Sequence, residues 1–208
     1  MSIFSRTKTE APDTEGIDTE GTEGAQSGAV ADLTGEYTLD PTHTRIGFSA
    51  RHAMVTTVRG SFATFDGAAR IDAQRPADSS VELAIDVASI DTGVADRDGH
   101  LRSGDFLDVE QFPRITFVST AVEREGESTW LVTGDLTIKD VTRPVTVPFE
   151  ATGSARDPFG NVRVGFEGEV SVNRKDWGLT WNAALETGGV LISEKVKLSF
   201  DVSAIRNA

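Results

Sequence analysis

The sequence predicts an all-β domain of about eight antiparallel strands with one short helix. Three observations predict it: apolar and polar residues alternate with a period of two from Gly35 onward, the chain has 20 glycines, and turn sequences separate the alternating runs. Strands with one apolar face satisfy their edges most simply by closing into a barrel, and a two-sheet sandwich is the alternative. With 208 residues, of which 38% are hydrophobic, one globular domain is expected.

The alternation is clearest in six runs, each of which places one apolar face opposite a polar one. Their same-face positions are Ile46, Phe48 and Ala50; Val81, Leu83, Ile85 and Val87; Ile115, Phe117 and Ser119; Val145, Val147 and Phe149; Phe166, Gly168, Val170 and Val172; and Val196, Leu198, Phe200 and Val202. Turns are predicted at Asp66-Gly67, Glu125-Gly126, Asp157-Pro158-Phe159-Gly160-Asn161 and Gly188-Gly189, because these residues tolerate positive φ or start turns.

One charged helix is predicted between Asp96 and Asp108, where the alternation stops. Asp96 is expected to cap its N-terminus and Leu101 to anchor its inner face, with Arg97, Asp98 and Arg102 in solvent. The helix either braces one end of the barrel or presents Arg97, His100 or Arg102 to a ligand.

Residues 1–33 are predicted to form a disordered acidic tail, and residues 34–208 the folded domain. The tail repeats Asp-Thr-Glu-Gly at residues 13–16 and 18–21 and has almost no side chain worth burying. Thr14, Thr19 and Thr22 are candidate phosphorylation sites for a phosphothreonine-binding partner, and an inert tail is the alternative. No apolar h-region follows Arg6, so a cytoplasmic location is expected.

Composition argues against several classes of function. The net charge of −13 disfavours nucleic acid as a partner and disfavours docking on an anionic membrane surface. The chain has no cysteine, which excludes disulfides, thiolate nucleophiles and Cys-based metal sites. His43 and His52 are nine residues apart and would face opposite ways on one strand, so no metal site is predicted. No nucleophile elbow or phosphate-binding loop occurs, and no catalytic residue is assigned.

Aromatic residues are numerous enough to wall an apolar cavity, with a plainly packed core as the alternative. Trp177, Leu179 and Trp181 have the i, i+2, i+4 spacing of one strand face. The full set of predicted cavity residues is Phe48, Phe62, Phe65, Phe106, Phe117, Phe166, Trp177, Leu179 and Trp181.

The order of motifs from about residue 35 to 205 resembles the YceI-like family. The middle motif agrees best: Ser89-Ile90-Asp91-Thr92-Gly93, then Arg97-Asp98, His100-Leu101, Ser103, Asp105-Phe106, Asp108-Val109-Glu110 and Phe112-Pro113. Earlier segments also match, among them Tyr37-Thr38-Leu39-Asp40 and Val58-Arg59-Gly60-Ser61-Phe62. Arg174-Lys175-Asp176-Trp177-Gly178-Leu179 is similar to a late family strand, with Trp177 where Phe is more usual.

The resemblance implies an extended, eight-stranded, lipocalin-like antiparallel barrel that encloses a polyisoprenoid or similar amphiphilic lipid, without catalysis or a cofactor. Many relatives look exported, and dimers are expected from the family. An uncompensated polar head group is costly inside an apolar lumen, so it is expected to stay at the barrel mouth. Candidate head-group contacts, chosen by charge type, are Arg51, His52, Arg97, His100 and Arg102.

The leading functional hypothesis is therefore non-enzymatic carriage or sequestration of an isoprenoid lipid. One alternative is an enzyme of isoprenoid or quinone metabolism that uses the same cavity, which requires polar groups converging inside the barrel. Another is a stress-response module that sequesters other amphiphiles. A solidly packed interior would exclude the leading hypothesis.

Overall fold

The computed structural model describes residues 33–186 and 188–208, and this part of the chain forms eleven strands. The strands are β1 (Gly35–Leu39), β2 (Arg45–His52), β3 (Thr56–Phe62), β4 (Phe65–Ile71), β5 (Ser80–Asp86), β6 (Ile90–Asp91), β7 (Arg114–Glu125), β8 (Thr129–Ile138), β9 (Val141–Arg156), β10 (Val162–Asn173) and β11 (Ile192–Arg206). The helix is α1 (Ala95–Arg102), and short 3₁₀ helices cover Pro76–Asp78, Val87–Ser89 and Arg174–Trp177. No helix in these two ranges is long and apolar enough to cross a bilayer.

The eleven segments form one closed antiparallel barrel of eight strands. The numbers differ because three of the eight strands are each interrupted and so count as two segments. β1 continues into β2, β3 into β4, and β5 into β6. β2 pairs with β3 and β1 with β4, after which the ladder runs through β5, β7, β8, β9 and β10 to β11. β11 closes the ring by pairing with both β1 and β2. The predicted barrel is confirmed, and the sandwich alternative is excluded by this closure.

Three of the four predicted turns are confirmed. Gly126 and Gly160 adopt φ of +81° and +91° between β7 and β8 and between β9 and β10. Gly188-Gly189 turns beside the bridge between Ala184 and Val190. The predicted Asp66-Gly67 turn is wrong, since both residues lie inside β4 and pair with β5. Pairing with β5 at these two residues, continued by pairing with β1 from Ala68, overrides the local turn preference.

A helix is confirmed at the predicted place, but it ends at Arg102 rather than reaching Asp108, and its polar contacts differ from those expected. It begins at Ala95, with Val94 rather than Asp96 at the N-cap position and no side-chain cap. Asp98 is buried and accepts hydrogen bonds from the backbone N and Oγ1 of Thr92, at 2.9 and 2.5 Å. This carboxylate joins the helix to the end of β6, which its sequence position does not reveal.

The predicted strand through Trp177, Leu179 and Trp181 is wrong. β10 ends at Asn173, whose side chain accepts from the backbone N of Lys175 and starts a 3₁₀ turn. Gly178 then adopts a left-handed conformation with φ of +73°. Trp177, Leu179 and Trp181 are thus two residues apart in sequence but do not lie on a strand.

The meander gives the barrel two ends with different connections. The helix end contains the connections 52–56, 91–114, 138–141 and 173–192. The terminal end contains the connections 71–80, 125–129 and 156–162, together with Leu33 and Arg206. Leu33, placed in the tail by the sequence prediction, is buried there beside Tyr37, and the rest of the predicted tail lies outside the described residues.

Candidate binding cavity

A cavity of about 350 Å³ lies inside the barrel. All eleven strand segments and α1 contribute to its wall, so it extends between the two ends. Representative wall residues are Leu39, Val58, Leu83, Ile115, Val132, Val145, Val172 and Leu198. Its volume is within the ~300–1,000 Å³ range of small-molecule sites. The interior is therefore not solidly filled by its own side chains.

Glycines opposite phenylalanines help to keep this space open. Phe48 pairs across the ladder with Gly60, and a Cβ added at Gly60 would lie 2.4 Å from Phe48 Cζ. Phe149 pairs with Gly168 in the same way, with Cδ1 2.7 Å from a Cβ added there. Each ring occupies the space above a glycine, so it lies along the wall rather than across the lumen.

Seven of the nine predicted cavity residues line the cavity. They are Phe48, Phe62, Phe106, Phe117, Phe166, Trp177 and Leu179. Phe65 is instead packed within the buried core, and Trp181 lies outside the wall. Contact of any of them with a ligand stays a prediction.

Trp181 forms an aromatic cluster with α1 and the loop that follows it. Its ring centroid is 4.6 Å from that of His100 and 5.3 Å from that of Phe106. His100 lines the cavity, and its Nε2 is 2.8 Å from an Asp105 carboxylate oxygen. The cluster fixes the helix against the 173–192 connection, so Trp181 supports the cavity from outside.

Arg51 and His52 line the cavity at the end of β2. The Arg51 guanidinium donates to Oγ1 of Thr57 at 3.0 Å and to the carbonyls of Met54 and Val55 at 2.9 and 3.0 Å. These bonds close the β2–β3 turn. Arg51 therefore brings a positive charge to the helix end while most of its donors hold the turn.

The two arginines of α1 have different positions. Arg97 lines the cavity, and its guanidinium donates to the Oγ1 and carbonyl oxygen of Thr92 at 2.7 and 2.9 Å. Arg102 is outside the wall and donates to the carbonyls of Ala88 and Ile90. Both are half-buried rather than in solvent, because these carbonyls draw them toward β6.

Arg174 lines the cavity and was missed by the sequence prediction. It is 6% exposed, and its Nε donates to the Ser193 carbonyl at 3.1 Å while Nη1 donates to the Leu179 carbonyl. Its Nη2 is buried and has no partner among the described residues. Burial lowers the pKa of the guanidinium. Arginine is rarely buried, so its residue type gives no sign that this side chain faces the cavity.

Trp130, near the start of β8, was also missed. It is 3% exposed, lines the cavity, and its Nε1 has no partner in the described structure. Its inward direction was readable from the alternation Trp130, Val132, Gly134, Leu136. By contrast, Nε1 of Trp177 donates to the Leu136 carbonyl at 3.0 Å.

The terminal end carries the most strongly paired charges. Arg163 donates to the carboxylates of Asp40 and Asp157, the latter at 2.9 Å. Arg163, followed by His43, holds the pKa of Asp40 far below its usual range. Hydrogen bonds from Asn161, with a further one from Arg163, lower the pKa of Asp157 to about 2. These groups tie the β1–β2 junction to the β9–β10 turn.

His43 contacts the carboxylate of Asp40. Its Nδ1 is 2.7 Å from an Asp40 carboxylate oxygen, and its side chain is 63% exposed. His52 lies at the end of β2, near the other end of the barrel. Over residues 33–186 and 188–208, no group of three His, Asp or Glu side chains is placed to hold a metal ion.

Comparison with known proteins identifies similar sequences. The YceI-like domain model matches residues 37–204. A UPF0312 protein of Photorhabdus laumondii is 42% identical over 147 residues, covering 70% of this chain and 76% of that protein. Protein YceI of Salmonella newport is 39% identical over 150 residues, covering 71% and 78%.

Solved structures share the fold. Burkholderia cenocepacia BcnA matches with a TM-score of 0.70 at 25% identity, covering 79% of this chain and 98% of that one. A polyisoprenoid-binding domain from Saccharophagus degradans matches with a TM-score of 0.63 at 19% identity, covering 82% and 98%. The second likeness is one of fold alone.

Proposed function

Because this chain belongs to the YceI-like family, we propose that it binds a polyisoprenoid or similar long amphiphilic lipid in the barrel cavity and carries or sequesters it unchanged. The observation that carries this proposal is the apolar cavity that extends between the two ends of the barrel. The polyisoprenoid-binding domain of Saccharophagus degradans, which has the same fold, supports the lipid class.

Apolar transfer energy is sufficient to drive such binding. Each buried CH₂ contributes about 0.8 kcal/mol, so a prenyl chain of several units gains far more than its ordering costs. The wall is already formed in the described structure, which reduces the reorganisation needed for binding. Shape and hydrophobicity thus select a long chain in preference to a compact polar molecule.

Blocking the middle of the cavity tests the proposal. Val147 lines the cavity on β9, and its neighbour Thr146 faces outward. Native mass spectrometry of the purified full chain with added geranylgeraniol should show one bound lipid. Val147→Trp should weaken this binding about tenfold or more because the indole fills the lumen, whereas Thr146→Trp should leave it within about twofold.

Other outcomes separate the alternatives. Equal binding by both variants, or no binding by the wild type, would contradict a site within the barrel. A change in the mass of the bound lipid during incubation would favour the enzyme hypothesis. Displacement by chemically unrelated amphiphiles at equal affinity would favour the general stress-response module.

A further inference from the structure

Arg174 places an uncompensated positive charge in the wall of the cavity. Its side chain is more than nine-tenths buried, two of its nitrogens bind backbone carbonyls, and Nη2 has no partner in the described part of the chain. We propose that Arg174 binds the anionic head group of the lipid, of the phosphate or carboxylate class, inside the helix end of the barrel. This inference rests on the proposed function and specifies its ligand.

The charge of Arg174 has no close acidic partner. Glu194 acts on it electrostatically, but the Glu194 carboxylate is bound by Lys175 Nζ at 2.5 Å and is about half exposed. No carboxylate oxygen in residues 33–186 and 188–208 lies within ion-pair distance of the Arg174 guanidinium. A buried charge without a partner is costly, so an anion supplied by a ligand would be strongly favoured there.

Arg51 and Arg97 add to the positive character of the same end. Both line the cavity, and neither forms an ion pair within the described ranges. Their hydrogen bonds go to neutral oxygens, which satisfy donors without cancelling charge. Arg70 lines the cavity at the terminal end, but its Nε lies 3.7 Å from a Glu36 carboxylate oxygen, so an acidic partner offsets its charge. The three guanidinium groups at the helix end have no such partner among the described residues, which favours an anion at that end.

Chemistry favours an anion over a neutral carbonyl or hydroxyl. A guanidinium binds phosphate or carboxylate oxygens through charge-assisted hydrogen bonds, which are about twice as strong as neutral ones. A neutral acceptor would satisfy Nη2 but leave the positive charge uncompensated. The sequence predicts the head group at the barrel mouth, because a polar group without a partner is costly inside the lumen. Arg174 supplies such a partner, so the head group would lie inside the helix end of the barrel.

A purely structural role explains only part of these contacts. Bonds to the carbonyls of Leu179 and Ser193 hold the 173–192 connection against the start of β11. They account for two nitrogens but leave Nη2 and the net charge without a function. The two roles predict different ligand selectivity, because a clamp would affect all lipids alike.

The test compares three probes on the wild-type protein: geranylgeranyl diphosphate, geranylgeraniol and inorganic diphosphate. By isothermal titration calorimetry, the diphosphate lipid should bind about tenfold or more tightly than the alcohol. Inorganic diphosphate alone should not displace it at millimolar concentration. Displacement by the free anion would show a site for a small phosphate compound and would overturn the lipid head-group assignment.

Substitutions at Arg174 then test whether this residue causes the tighter binding of the diphosphate lipid. Arg174→Gln should reduce the preference for the diphosphate lipid about tenfold while affinity for the alcohol changes less than about threefold. Arg174→Lys should recover part of it, because the charge is retained. The control is Arg143→Gln, since Arg143 is exposed on β9 and donates to the Asp176 carbonyl of the adjoining 3₁₀ turn without lining the cavity. This control should keep the wild-type preference.

Several outcomes would overturn the inference. They are equal wild-type affinity for the lipid and the alcohol, a preference that survives Arg174→Gln, and a parallel loss of both affinities in a folded variant. If Arg174→Gln does not fold by circular dichroism, a crystal structure of the wild-type complex decides. Phosphate oxygens within about 3.2 Å of Nη2 support the proposal, and a head group elsewhere refutes it. Failure of every lipid to bind would instead refute the proposed function.

Discussion

The two ends of the barrel differ in how they pair an arginine that is at least partly buried. At the terminal end, Arg163 is about a quarter exposed and binds two carboxylates. At the helix end, Arg174 is far more buried, and its hydrogen bonds within residues 33–186 and 188–208 go to neutral carbonyls. A folded chain usually pairs its buried charges, so the unpaired one is the better indicator of a ligand site. The paired charges of the terminal end join β1–β2 to β9–β10, and the unpaired Arg174 at the helix end is the basis of the proposed head-group site.

The contribution of the terminal end to the stability of the barrel can be tested at Tyr37. This side chain is fully buried, and its hydroxyl donates to the Leu33 carbonyl at 2.8 Å and accepts from Nε and Nη2 of Arg206 at 3.1 and 2.9 Å. Tyr37→Phe should lower the free energy of unfolding by about 1–3 kcal/mol, since buried groups lose their partner. Urea denaturation measures this change.

A neighbouring hydrogen bond on β1 gives the control for Tyr37→Phe. Thr38 Oγ1 donates to Asn207 at the surface, so Thr38→Val should cost less than about 0.5 kcal/mol. Neither variant should change geranylgeraniol affinity by more than about twofold, because both sites lie outside the cavity wall. A large loss of affinity in Tyr37→Phe would show that the two ends are coupled.

The two cavity tryptophans allow a comparison in which a smaller difference in stability is expected. Nε1 of Trp177 at the helix end has the Leu136 carbonyl as its partner, and Nε1 of Trp130 at the terminal end has none in the described structure. Trp177→Phe should therefore destabilise the protein by about 1 kcal/mol more than Trp130→Phe, because only the first change breaks a buried hydrogen bond. Thermal and urea unfolding of the pair would measure the difference. Equal costs would mean that lost packing outweighs the hydrogen bond.

The smallest effect is the pH dependence of the Arg163 cluster. The pKa values of Asp40 and Asp157 are lowered in the folded state, so the unfolded chain binds more protons in acid. Their stabilisation is present above about pH 4, the unfolded value, and is lost as pH falls toward about 2. Arg163→Gln should be less stable than wild type at neutral pH, and the difference should shrink in acid.

Urea titrations at several pH values between 7 and 3 would follow this difference. Arg156→Gln is the control, since Arg156 lies near the same turn and its side chain donates to the Gly160 carbonyl without an acidic partner among the described residues. Its difference from wild type should be independent of pH. A difference for Arg163→Gln that stays constant into acid would contradict the linkage.

Most of the barrel wall was predictable, whereas the polar part of the site was not. Period-two alternation identified Phe48, Phe117 and Phe166 as inward residues because the side chains of any strand alternate between two faces. The same reasoning failed at Trp181, where spacing of two occurs without a strand. Charge type selected Arg102 as a head-group contact, although backbone carbonyls hold it outside the wall.

Alternation along the chain is a local property, and it was enough to specify an all-β meander with one apolar face. Closure of that meander into a ring, and the cavity left inside it, depend on pairing between β1 and β11 from opposite ends of the domain. The environment of Arg174 likewise depends on Ser193, 19 residues away, and that of Asp40 on Arg163, 123 residues away. Burial and charge pairing are set by such distant neighbours, so only the folded structure separates an arginine that closes the barrel from one positioned for a ligand.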